Sequence, residues 1–244
     1  DKMVPVRAIA AAPNMKKLAA VVEDRSIVLF DEKGTQRDRF ATKPIDAKYS
    51  KRSYLVLSLA FSPDSSSLAV GQSDNVVFVY KIGADWNEKK VITNKLVQTA
   101  AVTALAWPFD DKILIGLIDG KMRVGLLKQN KCASLYKTEM GVIAIAVSSK
   151  RASFVSSHID GSIILYNFAS KAQEKLCSHS CAAYSIAFTA HAIVAGGADR
   201  RIISYSENGI VQQTFDYSSV DEREFSALIS DPTGQNFVAG SFDR

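Results

Sequence analysis

An all-β fold built from repeated four-stranded units is the architecture this sequence predicts, and three observations predict it. An aspartate recurs between two short apolar runs at Asp24, Asp74, Asp119, Asp160, Asp199 and Asp243, with successive spacings of 50, 45, 41, 39 and 44 residues. Each interval carries up to four runs of four to seven residues rich in Val, Ile, Phe and Tyr, bounded by Pro, Asp, Ser and Gly, which is strand and hairpin grammar. No segment has a helical period long enough to compete. A unit of about 40–45 residues with four strands cannot bury both its faces alone, so units stack side by side, and a β-propeller follows.

The elements read in order. The first repeat has VRAIAAAP, KLAAVV, SIVLF and QRDRF, and the second has SLAFSP, SLAVG, VVFVY and KVITNKL. The third has VTALAWP, KILIGL, KMRVGLL and CASLY, and the fourth has VIAIAV, SFVSS, SIILYNF and EKLCSH. The fifth has YSIAF, AIVAGG, RIISY and VQQTF, and the sixth has SALISDP and NFVAGS. Repeats are therefore placed at about 1–40, 55–97, 101–137, 141–179, 182–216 and 225–244, in a single domain, with loop insertions at 41–54 and 216–224. Alanine-rich runs such as AIAAAP and TALAW suit inner strands, which crowd near a propeller axis. The recurring aspartates read as structural, because a short carboxylate accepts backbone N–H groups of its own turn and pins a tight hairpin. Gly120 and Gly161 follow two of them, where a positive φ is wanted. The period and strand count are of the WD40 type, although the third strands close on Phe30-Asp31, Tyr80-Lys81, Tyr166-Asn167 and Tyr205-Ser206 instead of Trp-Asp. About six repeats are visible, and the expectation is an incomplete seven-bladed ring: the sequence starts at Asp1 without an initiator methionine and stops just after the sixth aspartate turn.

Composition narrows the function. The chain has 244 residues, 47% hydrophobic and 23% charged, enough for a sizeable core. No run approaches the roughly 18 apolar residues of a membrane helix, and the N-terminus has no signal-peptide h-region. Three cysteines are too few for a disulfide framework, so a cytosolic chain with reduced thiols is expected. There is no phosphate-binding loop, dinucleotide fingerprint, His-Glu-x-x-His helix or nucleophile elbow. No catalytic residue and no cofactor are expected, and the chain reads as a non-enzyme.

Three constellations remain. In CSHSC, Cys177, His179 and Cys181 would share one face of an extended strand. A structural zinc site wants a fourth ligand, and this is not a common ligand spacing, so the segment reads as a blade-edge strand with two half-buried thiols and no metal. His158 precedes a blade turn, where packing or hydrogen bonding is the expected role. Asp221, Glu222 and Glu224 flank Arg223 in an acidic loop with no histidine or nucleophile beside them, which reads as solvated or partner-facing.

Charge is the more informative signal. The formal net charge is +5, and residues 33–54 alone hold four lysines and three arginines against two aspartates, an excess equal to that of the whole chain. Such a segment suits an acidic protein or an anionic membrane surface. Nucleic acid is the weakest reading, because few aromatics are interleaved for stacking. The candidate partner-binding residues are Lys48, Lys51, Arg52 and Tyr54 in this loop, and Trp86 in the polar stretch GADWNEKK, where an indole either packs on the blade or meets a partner.

The non-repeating parts carry a sharper likeness. Residues 40–95, with TKP, KYSKRSY and YKIGADW, and residues 213–244, with TFDY and EREF, closely resemble the N-terminal propeller of the intraflagellar transport 172 family. The resemblance implies a larger polypeptide with two N-terminal WD40 propellers and a helical-repeat tail, similar to vesicle-coat subunits. It implies a ciliary transport adaptor in the peripheral part of complex B, which docks a calponin-homology domain of a coiled-coil complex B subunit and helps couple complex B to complex A. The implied setting is the cytoplasm and the cilium or flagellum, at axoneme and basal body. A coat-like protein touching anionic membrane through the basic loop is the alternative.

Overall fold

In the computed structural model, residues 6–22, 25–46, 48, 54–83, 86, 88–219, 224–231 and 233–241 are described. The fold is a WD40-type β-propeller architecture, all-β, with antiparallel blades in which each strand pairs with its neighbours in sequence. Blade one is β1 (Ala8–Ala11), β2 (Leu18–Val21), β3 (Ser26–Phe30) and β4 (Gln36–Ala41). Blade two is β5 (Val56–Phe61), β6 (Ser67–Gln72), β7 (Val76–Lys81) and β8 (Val91–Val97). Blade three is β9 (Val102–Phe109), β10 (Lys112–Leu117), β11 (Lys121–Leu126) and β12 (Lys131–Lys137). Blade four is β13 (Val142–Val147), β14 (Ser153–His158), β15 (Ser162–Asn167) and β16 (Gln173–Ser178). Blade five is β17 (Ser185–Phe188), β18 (Ile193–Gly196), β19 (Arg201–Tyr205) and β20 (Val211–Asp216). A final pair, β21 (Phe225–Ser230) and β22 (Phe237–Ser241), begins blade six. Among the described residues the only helical element is a 3-10 turn, Leu127–Gln129.

The chain forms two compact units, one of residues 1–118 and 122–135 and one of 119–121 and 136–244. In the first, blades one and two bury Ile27, Leu29, Leu68, Val70 and Phe78 between them, and blades two and three bury Ala69, Val77, Val102, Ile113 and Ile115. In the second, Val155, Ile163, Ile193 and Tyr205 fill the space between blades four and five, and Val194, Ile202, Phe225 and Leu228 that between five and six. Middle strands such as Val76–Lys81 are buried on both faces and read as near-continuous apolar runs, whereas outer strands such as Gln36–Ala41 are largely exposed. Small residues let the sheets approach. A Cβ on Gly71 of β6 would sit 2.6 Å from Val102 Cγ1 of the next blade.

The repeat is geometric as well as compositional. The residue after each aspartate is left-handed in all five described turns: Arg25, Asn75, Gly120, Gly161 and Arg200 have φ of 65°, 66°, 83°, 82° and 61°. The carbonyl of that residue then accepts the N–H of the residue just past the blade's outer strand, namely Thr42, Gln98, Thr138, His179 and Tyr217. One backbone bond per blade thus fastens the end of the outer strand to the turn beside it. Nothing in the side chains at these five positions announces their equivalence.

Candidate interaction surface

The basic segment starts in the β3–β4 hairpin. Asp31 Oδ1 accepts the N–H groups of Lys33 and Thr35 at 3.0 and 2.9 Å, which holds its carboxyl below the usual range, the Thr35 bond foremost. Arg37 reaches Asp31 at 3.8 Å, and Lys90 from the next blade pairs with Asp38 at 2.7 Å. Part of the charge excess is therefore spent inside the blade pair.

Trp86 packs down. Its ring lies against the core between blades one and two, with Lys17 Nζ 5.0 Å and the Arg37 guanidinium 5.8 Å from its centroid. Lys17, only 7% exposed, donates to the Gly83 carbonyl at 2.6 Å, and Lys90 donates to the Trp86 carbonyl at 3.2 Å. Two cations over an indole ring suit the negative face of its π system. Of the two roles expected for Trp86, packing on the blade is the one its surroundings display.

Beyond β4 the chain is held at two points. Thr42 Oγ1 donates to the Arg25 carbonyl at 2.8 Å and meets the Tyr54 hydroxyl at 3.0 Å. Tyr54 is 3% exposed under the Arg25 guanidinium, so its ring is packed and is not an exposed anchor; a large ring with one polar tip gains more by packing here than by facing water. Ile45 is gripped on both backbone groups: its N–H donates to Asp74 Oδ2 at 2.7 Å and its carbonyl accepts from Lys95 Nζ at 2.5 Å. Lys48 stands on the far side of that grip, exposed, its ammonium 3.2 Å from Asp46. Lys51 and Arg52 lie outside the described residues.

Asp74 also corrects an expectation. Asp119, Asp160 and Asp199 accept the N–H two residues on, from Lys121, Ser162 and Arg201 at 3.3, 3.0 and 3.2 Å, as turn-pinning carboxylates do. Asp74 instead spends Oδ2 on the loop 29 residues earlier, and burial pushes its carboxyl up despite that bond. The sequence hid this because the same residue in the same turn serves a partner supplied only by tertiary packing. Asp24, Asp243 and the acidic group Asp221, Glu222 and Arg223 lie outside the described residues.

In the second unit His158 is wholly buried. Its Nδ1 lies 2.9 Å from the Met140 carbonyl, which only accepts, so Nδ1 carries the proton. Nε2, 2.8 Å from Ser156 Oγ, then accepts the serine hydroxyl, and Ser156 Oγ accepts the Tyr136 hydroxyl at 2.7 Å. Thr138 Oγ1, which donates to the Met140 carbonyl at 2.8 Å, lies 3.0 Å from the same Nδ1 and accepts there, and the role is hydrogen bonding, as expected of His158. Burial lowers its pKa, so it is neutral.

The CSHSC segment departs from its expected geometry. β16 ends at Ser178, so the extended alternation stops before His179, and Cys177 does not share a site with the other two. The gathered groups are His179, Cys181 and Asp199 of the neighbouring turn, whose ligand-type atoms all lie within 4.8 Å of one another.

Residues 47–81 match the family model "WD domain, G-beta repeat". Over all 244 residues the chain is 56% identical to the Caenorhabditis elegans intraflagellar transport protein osm-1. It is 45% identical over 249 residues to the mouse intraflagellar transport protein 172 homolog, and 40% identical over 259 residues to the Chlamydomonas reinhardtii protein 172. In each case all of this chain is covered, and it spans 14% of the relative's length.

Proposed function

Because this chain belongs to the intraflagellar transport 172 family, we propose that it is a non-enzymatic scaffold that joins transport trains in the cilium or flagellum. In this reading it is one propeller of a complex B subunit needed for cilium assembly. Its partners are other complex B subunits, a calponin-homology and coiled-coil subunit foremost, with complex A at the next remove. The observation that carries the reading is the identity, unbroken over the whole chain, to proteins named for intraflagellar transport. The clamped loop supports a place for the contact. Thr42, Tyr54, Asp74 and Lys95 fix its first residues on the blades, so Lys48 is presented from a support that needs little further ordering on binding. Rim charges of this kind steer encounter and select partners more than they add raw affinity.

The experiment is capture of complex B subunits from ciliated-cell lysate by the parent protein, with Lys48, Lys51 and Arg52 unchanged or each replaced by glutamate. Reduced recovery of complex B subunits with an unchanged melting curve supports the reading. Undiminished recovery removes the loop from the interface, and recovery of none by the unchanged protein removes the scaffold assignment. Flotation with anionic vesicles at low salt is the second arm: loop-dependent flotation without subunit capture assigns the loop to membrane.

A further inference from the structure

Blade four carries two hairpin turns at one end, 148–152 between β13 and β14 and 168–172 between β15 and β16. The Phe168 N–H donates to the Ala152 carbonyl at 3.0 Å, so the turns stand side by side. Phe168 roots them, its ring centroid 5.5 Å from that of Phe154 and 6.0 Å from that of Tyr166. The second compact unit as a whole has ten Lys and Arg against twelve Asp and Glu. These two turns reverse that sign: they hold Lys150, Arg151 and Lys171 and no carboxylate. All three cations are exposed, and none makes an ion pair among the described residues.

Two of the three sit where the backbone resists a long side chain. Arg151 has φ of 52° and Lys171 of 59°, in the left-handed region. The same turns recur in other blades without a cation. Met15, Ser65 and Gly234 close the turns equivalent to that of Arg151, and Gly34, Asn130 and Gly209 those equivalent to that of Lys171. Closing the blade therefore does not require a basic residue at either position.

We propose that Lys150, Arg151 and Lys171 form a docking surface for an acidic segment of a protein partner, distinct in sequence from the basic 33–54 segment. The turns rest on a packed aromatic base, so the cations are presented with little further ordering on binding. Their exposed neighbours Ser149, Ala152, Ala169 and Ser170 are small, which lets an extended chain come close. The Arg151 fork suits a carboxylate, held by two parallel hydrogen bonds. An anionic membrane is the weaker fit, since lipid headgroups are held by clusters of about four to eight cations or by inserted apolar side chains, and the two turns expose no large apolar residue. Nucleic acid is weaker still, because Phe168, the one ring in these turns, is packed against Phe154 and Tyr166 and offers no platform for stacking.

The test is fluorescence anisotropy of a labelled octaglutamate peptide with the whole 244-residue chain, followed by carbodiimide crosslinking and mass spectrometry of the proteolytic fragments. The expected result is binding that weakens as salt rises, with crosslinks from the peptide to Lys150 and Lys171. The double variant Arg151→Asn, Lys171→Asn should bind roughly tenfold more weakly, as expected for two exposed ion pairs removed. Asparagine takes the left-handed conformation more readily than arginine or lysine, as Asn130 does in blade three, so this variant should melt at or above the parental temperature while losing the peptide. Lys171→Arg should keep binding, and Lys48→Glu should leave the crosslinks at Lys150 and Lys171 in place. No binding by the unmodified chain, unchanged affinity in the double variant, or crosslinks confined to other lysines overturns the proposal. Flotation with phosphatidylserine vesicles, or binding of oligothymidylate, that depends on Arg151 and Lys171 while octaglutamate binding does not also overturns it, and assigns the turns to membrane or nucleic acid. Crosslink mapping needs no variant, so a substitution that unfolds the chain does not shelter the proposal.

Discussion

His158→Gln is the substitution whose effect is most closely fixed by the structure. The imidazole bridges the Met140 carbonyl and Ser156 Oγ, donating to one and accepting from the other. A glutamine amide can keep one of these bonds, and then the buried Ser156 hydroxyl loses its acceptor. One buried hydrogen bond broken on one side costs about 1–2 kcal/mol. For a chain of this size that is a fall in melting temperature of roughly 2–8 °C near pH 7.5. Acid changes the comparison. Burial lowers the folded pKa of His158, while in the unfolded chain it has an ordinary value of about 6.5. Below that value the unfolded state binds a proton that the folded state does not, so the native histidine loses stability as pH falls. Glutamine does not titrate, so the gap between variant and parent should narrow as pH falls from 7.5 to 5.5. Melting curves at pH 7.5, 6.5 and 5.5 decide it. A gap that stays constant or widens refutes the neutral state, and an unchanged melting temperature at pH 7.5 refutes the donor–acceptor bridge.

Three further outcomes are expected. Asp74→Ala removes the acceptor for the Ile45 N–H and should admit protease into the 43–53 loop at least several-fold faster, with a melting shift of only a few degrees, while Asp74→Asn, which keeps an acceptor, leaves cleavage near the parental rate. Trp86→Ala strips an indole from between Lys17 and Arg37 and should cost about 2–3 kcal/mol by denaturant titration, with Trp86→Phe recovering at least half. Two left-handed glycines separate strain from collision. Gly34→Ala meets nothing within 4 Å and should cost about 1 kcal/mol, whereas Gly120→Ala drives a Cβ to 2.2 Å from the Thr138 carbonyl and should cost about 3 kcal/mol or more in the same titration.

The fold was legible because its signals are local. Strand runs, turn residues and the aspartate spacing each lie within a few residues of the structure they encode, so blades and turns follow from sequence alone. Gly120, Gly161 and Asn75 are residue types that favour their left-handed turns; Arg25 and Arg200 occupy the same conformation without announcing it. The candidate surface was legible only as charge. Lys48 and Tyr54 were read from the same stretch as candidate partner contacts; Lys48 is exposed, whereas Tyr54 is buried.

By itself, then, the sequence determined the repeat, its strand order and the basic character of the 33–54 segment, since each depends on residue type and spacing along the chain. Tertiary structure alone decided the pairing of groups far apart in sequence: Asp74 with Ile45, Lys17 with Gly83, Tyr136 with His158 through Ser156, and Asp199 with His179 and Cys181. The reason is that hydrogen bonds and ion contacts act over about 3–4 Å, and which donors come that close to which acceptors is set by how blades pack, not by the order of residues within them.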